Sequence, residues 1–206
     1  VGIGYRALRA DTLGDRNVAV GNEALSTQNF TSSTDSYNVA VGYQAGKLLT
    51  TGTNNTFIGG LAGTAITTSD GNVAVGFEAL KTEDAHGNNT AVGYNALSNV
   101  TTGDYNTGLG QGAGLNVKGG NSNTFIGHNA NTGTDQAGPS NRTAIGAGAT
   151  ATVNKSVVLG NSFVEQVWMA SDKGASVYAA KYYTVDSSGN ATELTGGSGG
   201  SGSDGA

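Results

Sequence analysis

The segment GNVAVGFEAL at 71–80 returns seventeen residues later as NNTAVGYNAL at 88–97. Self-similarity at a fixed period constrains a fold more than any local propensity, because each copy must bury itself against its neighbours. The shared core is Asn-[Val/Thr]-x-[Val/Ile/Leu]-Gly, and it closes on Gly4, Gly21, Gly42, Gly59, Gly76, Gly93, Gly110, Gly127, Gly146 and Gly160. Successive spacings are 17, 21, 17, 17, 17, 17, 17, 19 and 14. Seventeen residues are too few for a strand–helix–strand unit. The cores are short, β-branched and alternating, which marks strands. The pattern therefore predicts an all-β chain, a parallel β-solenoid of about ten short coils. At the strand spacing its rod is about 45–50 Å long.

Alternation assigns the side chains to two faces. One face carries Val18, Val39, Thr56, Val73, Thr90, Thr107, Thr124, Thr143 and Val157, together with the second apolar position from Val20 to Leu159. The other carries Ala19, Ala40, Phe57, Ala74, Ala91, Gly108, Phe125, Ala144 and Val158. Both faces are apolar, so both are expected to be buried. A coil this thin has few large side chains for a core of its own. The small face is accordingly expected to pack against other copies in a closed cyclic assembly. Alanine follows three residues after nine of the ten glycines, Ala7 to Ala149, and marks a second short strand or tight turn. Asn17, Asn38, Asn55, Asn72, Asn89, Asn106 and Asn123 stand in register before the cores. They predict a stacked turn, with Asn either in the left-handed conformation or forming a side-chain ladder. Gly21, Gly42, Gly59, Gly76, Gly93, Gly110 and Gly127 mark a backbone position that excludes Cβ.

Composition narrows the function. Net charge is −5 with no basic run, against nucleic-acid and anionic-membrane partners. No apolar run is long enough to cross a bilayer. Cysteine is absent, which removes disulfides and thiol chemistry and fits an extracellular bacterial or viral protein as well as a cytoplasmic one. The chain opens on VGIGYRAL, inside a repeat, and is expected to be a fragment of a longer protein.

The cores NVAVG, NTFIG, NTAVG, NTGLG, RTAIG and SVVLG resemble the head repeats of trimeric autotransporter adhesins. The longer form YNALSNVTTGDYNTGLG is similar to repeats in bacterial surface fibres and phage tail fibres. The resemblance covers residues 1–162. It implies a left-handed parallel β-roll with three chains around one axis, on a bacterial cell surface or a phage virion. The segment from Ser156 to Leu194 resembles the place where tail fibres leave the roll for a stem. In that reading residues 163–195 form a β neck built on Trp168, Met169, Tyr178, Tyr182 and Tyr183; the alternative is a cap on the solenoid end. Residues 196–206, GGSGGSGSDGA, are a flexible linker, either an engineered scar or a natural hinge. The self-cleaving chaperone with a Ser–Lys pair that often follows in such fibres has no counterpart here, so no catalytic residue is carried over.

No site for chemistry emerges. His86 and His128 lack metal-ligand spacing, although a threefold axis would gather three copies of each. Glu83 and Asp84 face no second carboxylate cluster. GLGQGAG at Gly108–Gly114 belongs to the repeat and lacks the βαβ unit of a phosphate loop. The chain is not expected to be an enzyme or to hold a cofactor or metal. Recognition is expected in the two inserts that break the period, Gln28–Tyr37 and Gly133–Arg142, which would protrude. Their Phe30, Asp35, Tyr37, Gln136 and Arg142 are the candidate ligand contacts, to a cell-surface glycan or protein receptor. The expected function is that of a structural and adhesive fibre segment; a passive shaft displaying a missing tip is the alternative. Ice binding by the Thr column is a third reading, weakened by Val at four of its nine positions.

Overall fold

The computed structural model describes residues 1–82, 87–133, 138, 140–164, 183–185 and 191–193. Two compact units divide the chain, Val1–Glu165 and Gln166–Ala206. In the first, each repeat core is a strand: Gly2–Ile3, Val18–Val20, Val39–Val41, Thr56–Ile58, Val73–Val75, Thr90–Val92, Thr107–Leu109, Thr124–Ile126, Arg142–Ile145 and Ser156–Leu159. They stack in sequence order as one ten-stranded parallel sheet. The chain is all-β, a β-solenoid of about nine turns, with no helix among the described residues. Pairing keeps the repeat in register across every period, as in Thr107 opposite Thr124 and Thr143 opposite Val157.

The small face lies inside the coil, not against other copies. Ala19, Ala40, Phe57, Ala74, Ala91, Phe125 and Ala144 are all fully buried within the single chain. The alanines after the glycines, Ala24 to Ala149, are equally buried; those from Ala24 to Ala113 sit in turns, while Ala130 and Ala149 directly precede the short paired strands Asn131–Thr132 and Thr150–Ala151. The coil also makes a self-contained core after all. A column seven residues after the glycine supplies buried Leu49, Ile66, Val100 and Val117. Two earlier members of that column are polar and pair with each other, Gln28 Nε2 donating to Asp11 Oδ2 at 2.8 Å.

Core volume is shared between neighbouring columns. Where the strand carries Ala19, Ala74 or Ala91, the turn four residues after the glycine carries Leu25, Leu80 or Leu97, all fully buried. Where the strand carries Phe57, that turn position is Gly63, whose Cβ would lie 2.5 Å from the Phe57 ring. Where both positions are small, as at Ala40 with Gly46 and Gly108 with Gly114, large side chains of neighbouring coils, Phe57, Leu97 and Phe125, fill the space, so volume is shared between coils as well as within them.

The core glycine is required for two reasons at once. Gly76 has φ of 135°, outside the range ordinary residues adopt, and Gly59 with φ of 134° would place a Cβ 2.5 Å from Gly76 O. The asparagines form the side-chain ladder and not the left-handed turn. Asn38 Oδ1 accepts from Asn55 N at 2.9 Å, Asn55 Oδ1 from Asn72 N at 2.9 Å, and Asn72 Oδ1 from Asn89 N at 3.0 Å. The left-handed residue is the one before: Arg16, Tyr37, Asn54, Gly71, Asn88, Tyr105 and Ser122 all have φ between 49° and 69°. It turns the chain so that the following amide points along the stack.

The insert at 28–37 folds back on the rod. Thr34–Asp35 pairs in parallel with Gly14–Asp15, and Gln28 and Ser36 are fully buried. In the second unit, Tyr183–Val185 pairs antiparallel with Ala191–Glu193. Trp168, Met169, Tyr178 and Tyr182, and the linker 196–206, lie outside the described residues.

Candidate interaction surface

With the small residues turned inward, the β-branched face of every strand turns outward. Ile58, Leu109, Ile145 and Leu159 are between 39% and 47% exposed, and Val157 reaches 67%. The Val/Thr column beside them is half-buried from Val18 to Thr143. The residue after the glycine is aromatic and exposed at Tyr5, Tyr43, Phe77 and Tyr94, and polar or small at Asn22, Gly60, Gln111, His128 and Ala147. Its aromatic members carry a signal that strand alternation alone overlooks. Phe77 and Tyr94 stack with centroids 5.6 Å apart and planes 15° apart. Their faces are therefore turned on each other along the rod, and their edges turn outward.

Charge stays off this face. Glu23 accepts from Lys47 Nζ at 2.8 Å, from Gln44 Nε2 at 2.8 Å and from Arg6 at 3.5 Å. The Lys47 hydrogen bond, helped by Gln44, holds the Glu23 carboxyl below the ordinary carboxylate range. These residues tie three consecutive turns together at the margin of the sheet.

The five candidate contact residues do not form one site. Phe30 is only 7% exposed and packs over Gly14, so it is a core residue of the insert and not a protruding contact. Arg142 is only 5% exposed: its Nε donates to Asn154 Oδ1 at 2.8 Å, and its Nη1 to Thr132 Oγ1 at 2.6 Å and to Ala151 O at 3.2 Å. It stands where the ladder would place an asparagine, its own N donating to Asn123 Oδ1 at 3.1 Å, and its length bridges into the shortened last turn. Asp35 and Tyr37 are exposed and meet on Arg16, which forms an ion pair with Asp35 at 3.0 Å, lies 5.2 Å from the Tyr37 ring centroid and donates to its hydroxyl. Gln136 lies outside the described residues, as do His86, Glu83 and Asp84. His128 is exposed, with Nε2 3.2 Å from Asn129 Nδ2.

A second ladder was hidden in the sequence because its residue type varies. Two residues before each core asparagine, Asp70 Oδ1 accepts from Thr53 N at 2.6 Å, Asp104 Oδ1 from Gly87 N at 2.9 Å, and Asn121 Oδ1 from Asp104 N at 2.8 Å. Asp70, which is exposed, and Asp104, which is half-buried, are thereby engaged in capping backbone amides. No cluster of three or more potential metal ligands occurs among the described residues, and no described helix is long and apolar enough to cross a membrane. No protein-family model matches the chain, and no curated protein or solved structure is significantly similar to it.

Proposed function

We propose that this chain is a structural and adhesive segment of an extracellular fibre, in which three copies pack their outward sheet faces around a common axis. The observation that carries the reading is the unbroken outward column of valine, isoleucine and leucine from Val20 to Leu159, flanked by the Val/Thr column and by aromatic residues in four rows. Ten rows at the strand spacing make a strip about 43 Å long and about 15 Å wide, roughly 650 Å² per chain. A threefold assembly divides this strip between two neighbours, roughly 325 Å² to each, less than the roughly 800 Å² per partner of a standard interface, and its aliphatic column is the part that gains by burial. Cyclic closure lets one patch serve as both donor and receiver of the contact. In this reading the roll is left-handed, the C-terminal segment continues as a neck, and the fibre stands on a bacterial surface or a phage tail, where it meets a glycan or protein receptor.

A passive shaft is the second reading. It is favoured by the burial of Phe30 and Arg142, which leaves Asp35 and Tyr37 as the exposed described residues among the five candidate contacts. Light scattering coupled to size exclusion tests the assembly. A mass near three chains supports the fibre; a clean folded monomer overturns it. Retention of the trimer on host cells, lost when Gln28–Tyr37 is cut to a regular-length turn, supports adhesion through that insert; no retention favours the shaft.

A further inference from the structure

The margin of the sheet, where each strand leaves for its turn, changes character along the rod. Two residues after the glycine, the first five turns carry Arg6, Glu23, Gln44, Leu61 and Glu78; the next four carry Asn95, Gly112, Asn129 and Gly148. The period then contracts to 14 residues, and Val153, seven after Gly146, is 65% exposed instead of filling the lumen. Short side chains and a shortened turn open a groove of about 480 Å³ over three successive rows, lined by Leu115, Asn116, Asn129, Asn131, Thr132 and Thr150. Three rows span about 10 Å from first to last.

The lining is uncharged. Asn116, Asn129 and Thr150 are exposed in it; the Thr150 hydroxyl donates to Gly148 O at 3.2 Å and Asn116 Nδ2 to Gly133 O at 3.1 Å, which turns the Thr150 and Asn116 oxygens into acceptors for a ligand hydroxyl. Asn131 and Thr132 are fixed from behind: Asn131 Oδ1 accepts from Asn116 N and Thr132 N at 3.0 Å each, and Thr132 Oγ1 accepts from Arg142. Leu115 gives one wall an apolar patch suited to the C–H face of a ring. A ligand rich in hydroxyls and free of charge matches this set; an acidic one finds no exposed cation among the described lining residues. We infer that the groove is a saccharide subsite for a short neutral glycan. The inference rests on the adhesive reading and gives it a location.

The test is the intact chain on a printed array of neutral, sialylated and sulfated oligosaccharides, with Asn129→Gly and Thr150→Val in parallel. Asn129 has φ of 54°, and glycine already occupies its column at Gly112 and Gly148, so the backbone survives the first change. Valine keeps the shape of threonine in the second. Retention on neutral glycans, falling at least tenfold in both variants at unchanged melting temperature, is the expected result. No retention on neutral glycans, or retention on acidic ones alone, overturns the subsite. Variants that bind like the parent overturn it too, and leave the adhesive reading to stand on cell retention and solution mass.

Discussion

The two faces of the same three-residue strands solve opposite problems. The inner face carries alanine, glycine and two phenylalanines and is sealed by the chain alone. The outer face carries a column of valine, isoleucine and leucine beside a column of valine and threonine, and stays partly open. Size would suggest the reverse, since large aliphatic residues usually fill cores. The lumen of a 17-residue coil is narrow, however, and must also hold leucines from the turns and the asparagine ladder. Small strand residues are what remain compatible with it. The larger aliphatics are then surplus to the monomer, which is why their exposure speaks for assembly.

The comparison is broken most severely from the inside. Phe57→Ala is expected to cost about 3–5 kcal/mol in denaturant unfolding, since the ring is fully buried. Gly63→Leu in the same chain should recover more than half of that loss, because it rebuilds the alanine–leucine pairing of Ala74 and Leu80. No recovery would mean that the two columns do not share volume. Asn72→Ala is next. It leaves the Asn89 amide, now bonded to Asn72 Oδ1 at 3.0 Å, buried without an acceptor, at a cost of about 1–3 kcal/mol. A neutral result in the same unfolding assay would remove the ladder from the list of stabilising features.

Changes on the outer face should separate folding from assembly. Ile58→Lys with Leu109→Lys is expected to alter the unfolding free energy of the single chain by no more than about 0.5 kcal/mol per site. Light scattering should nonetheless fall from three chains to one while the β-sheet circular dichroism persists. A trimer that survives both lysines would place the shared interface elsewhere. The smallest effect belongs to the margin. Because the Glu23 carboxyl is held below its ordinary range, its contribution is present above the unfolded-state value, about pH 4.3, and fades as pH falls through the lower folded value. Glu23→Gln should therefore flatten the acid limb of the stability profile and reduce stability slightly near neutrality. An unchanged acid limb would show that Lys47 and Gln44 do not tune this group.

Much of the architecture was legible because a repeat reports on itself. Ten strands, their parallel order and the special status of the glycine follow from period and alternation. The core column at Leu49, Ile66, Val100 and Val117 was equally periodic but less visible, because Asp11 and Gln28 occupy it in the first turns. Phe30 and Arg142 misled for a related reason. An aromatic ring and a guanidinium within irregular inserts look like contacts, yet one packs over Gly14 and the other terminates the ladder. Of the candidate contact residues, Asp35 and Tyr37 are exposed beside Arg16.

By itself the sequence determined that this chain stacks: a 17-residue period with an invariant glycine leaves no room for a helix, and holds neighbouring coils at backbone contact. Which strand face looks inward was decided only by the tertiary structure. Alternation is unchanged when the two faces are exchanged, and both are apolar here. The choice is made by the left-handed residue before each asparagine and by the ladder that locks the asparagine inside. Those interactions join residues a full coil apart and exist only once the coils are stacked.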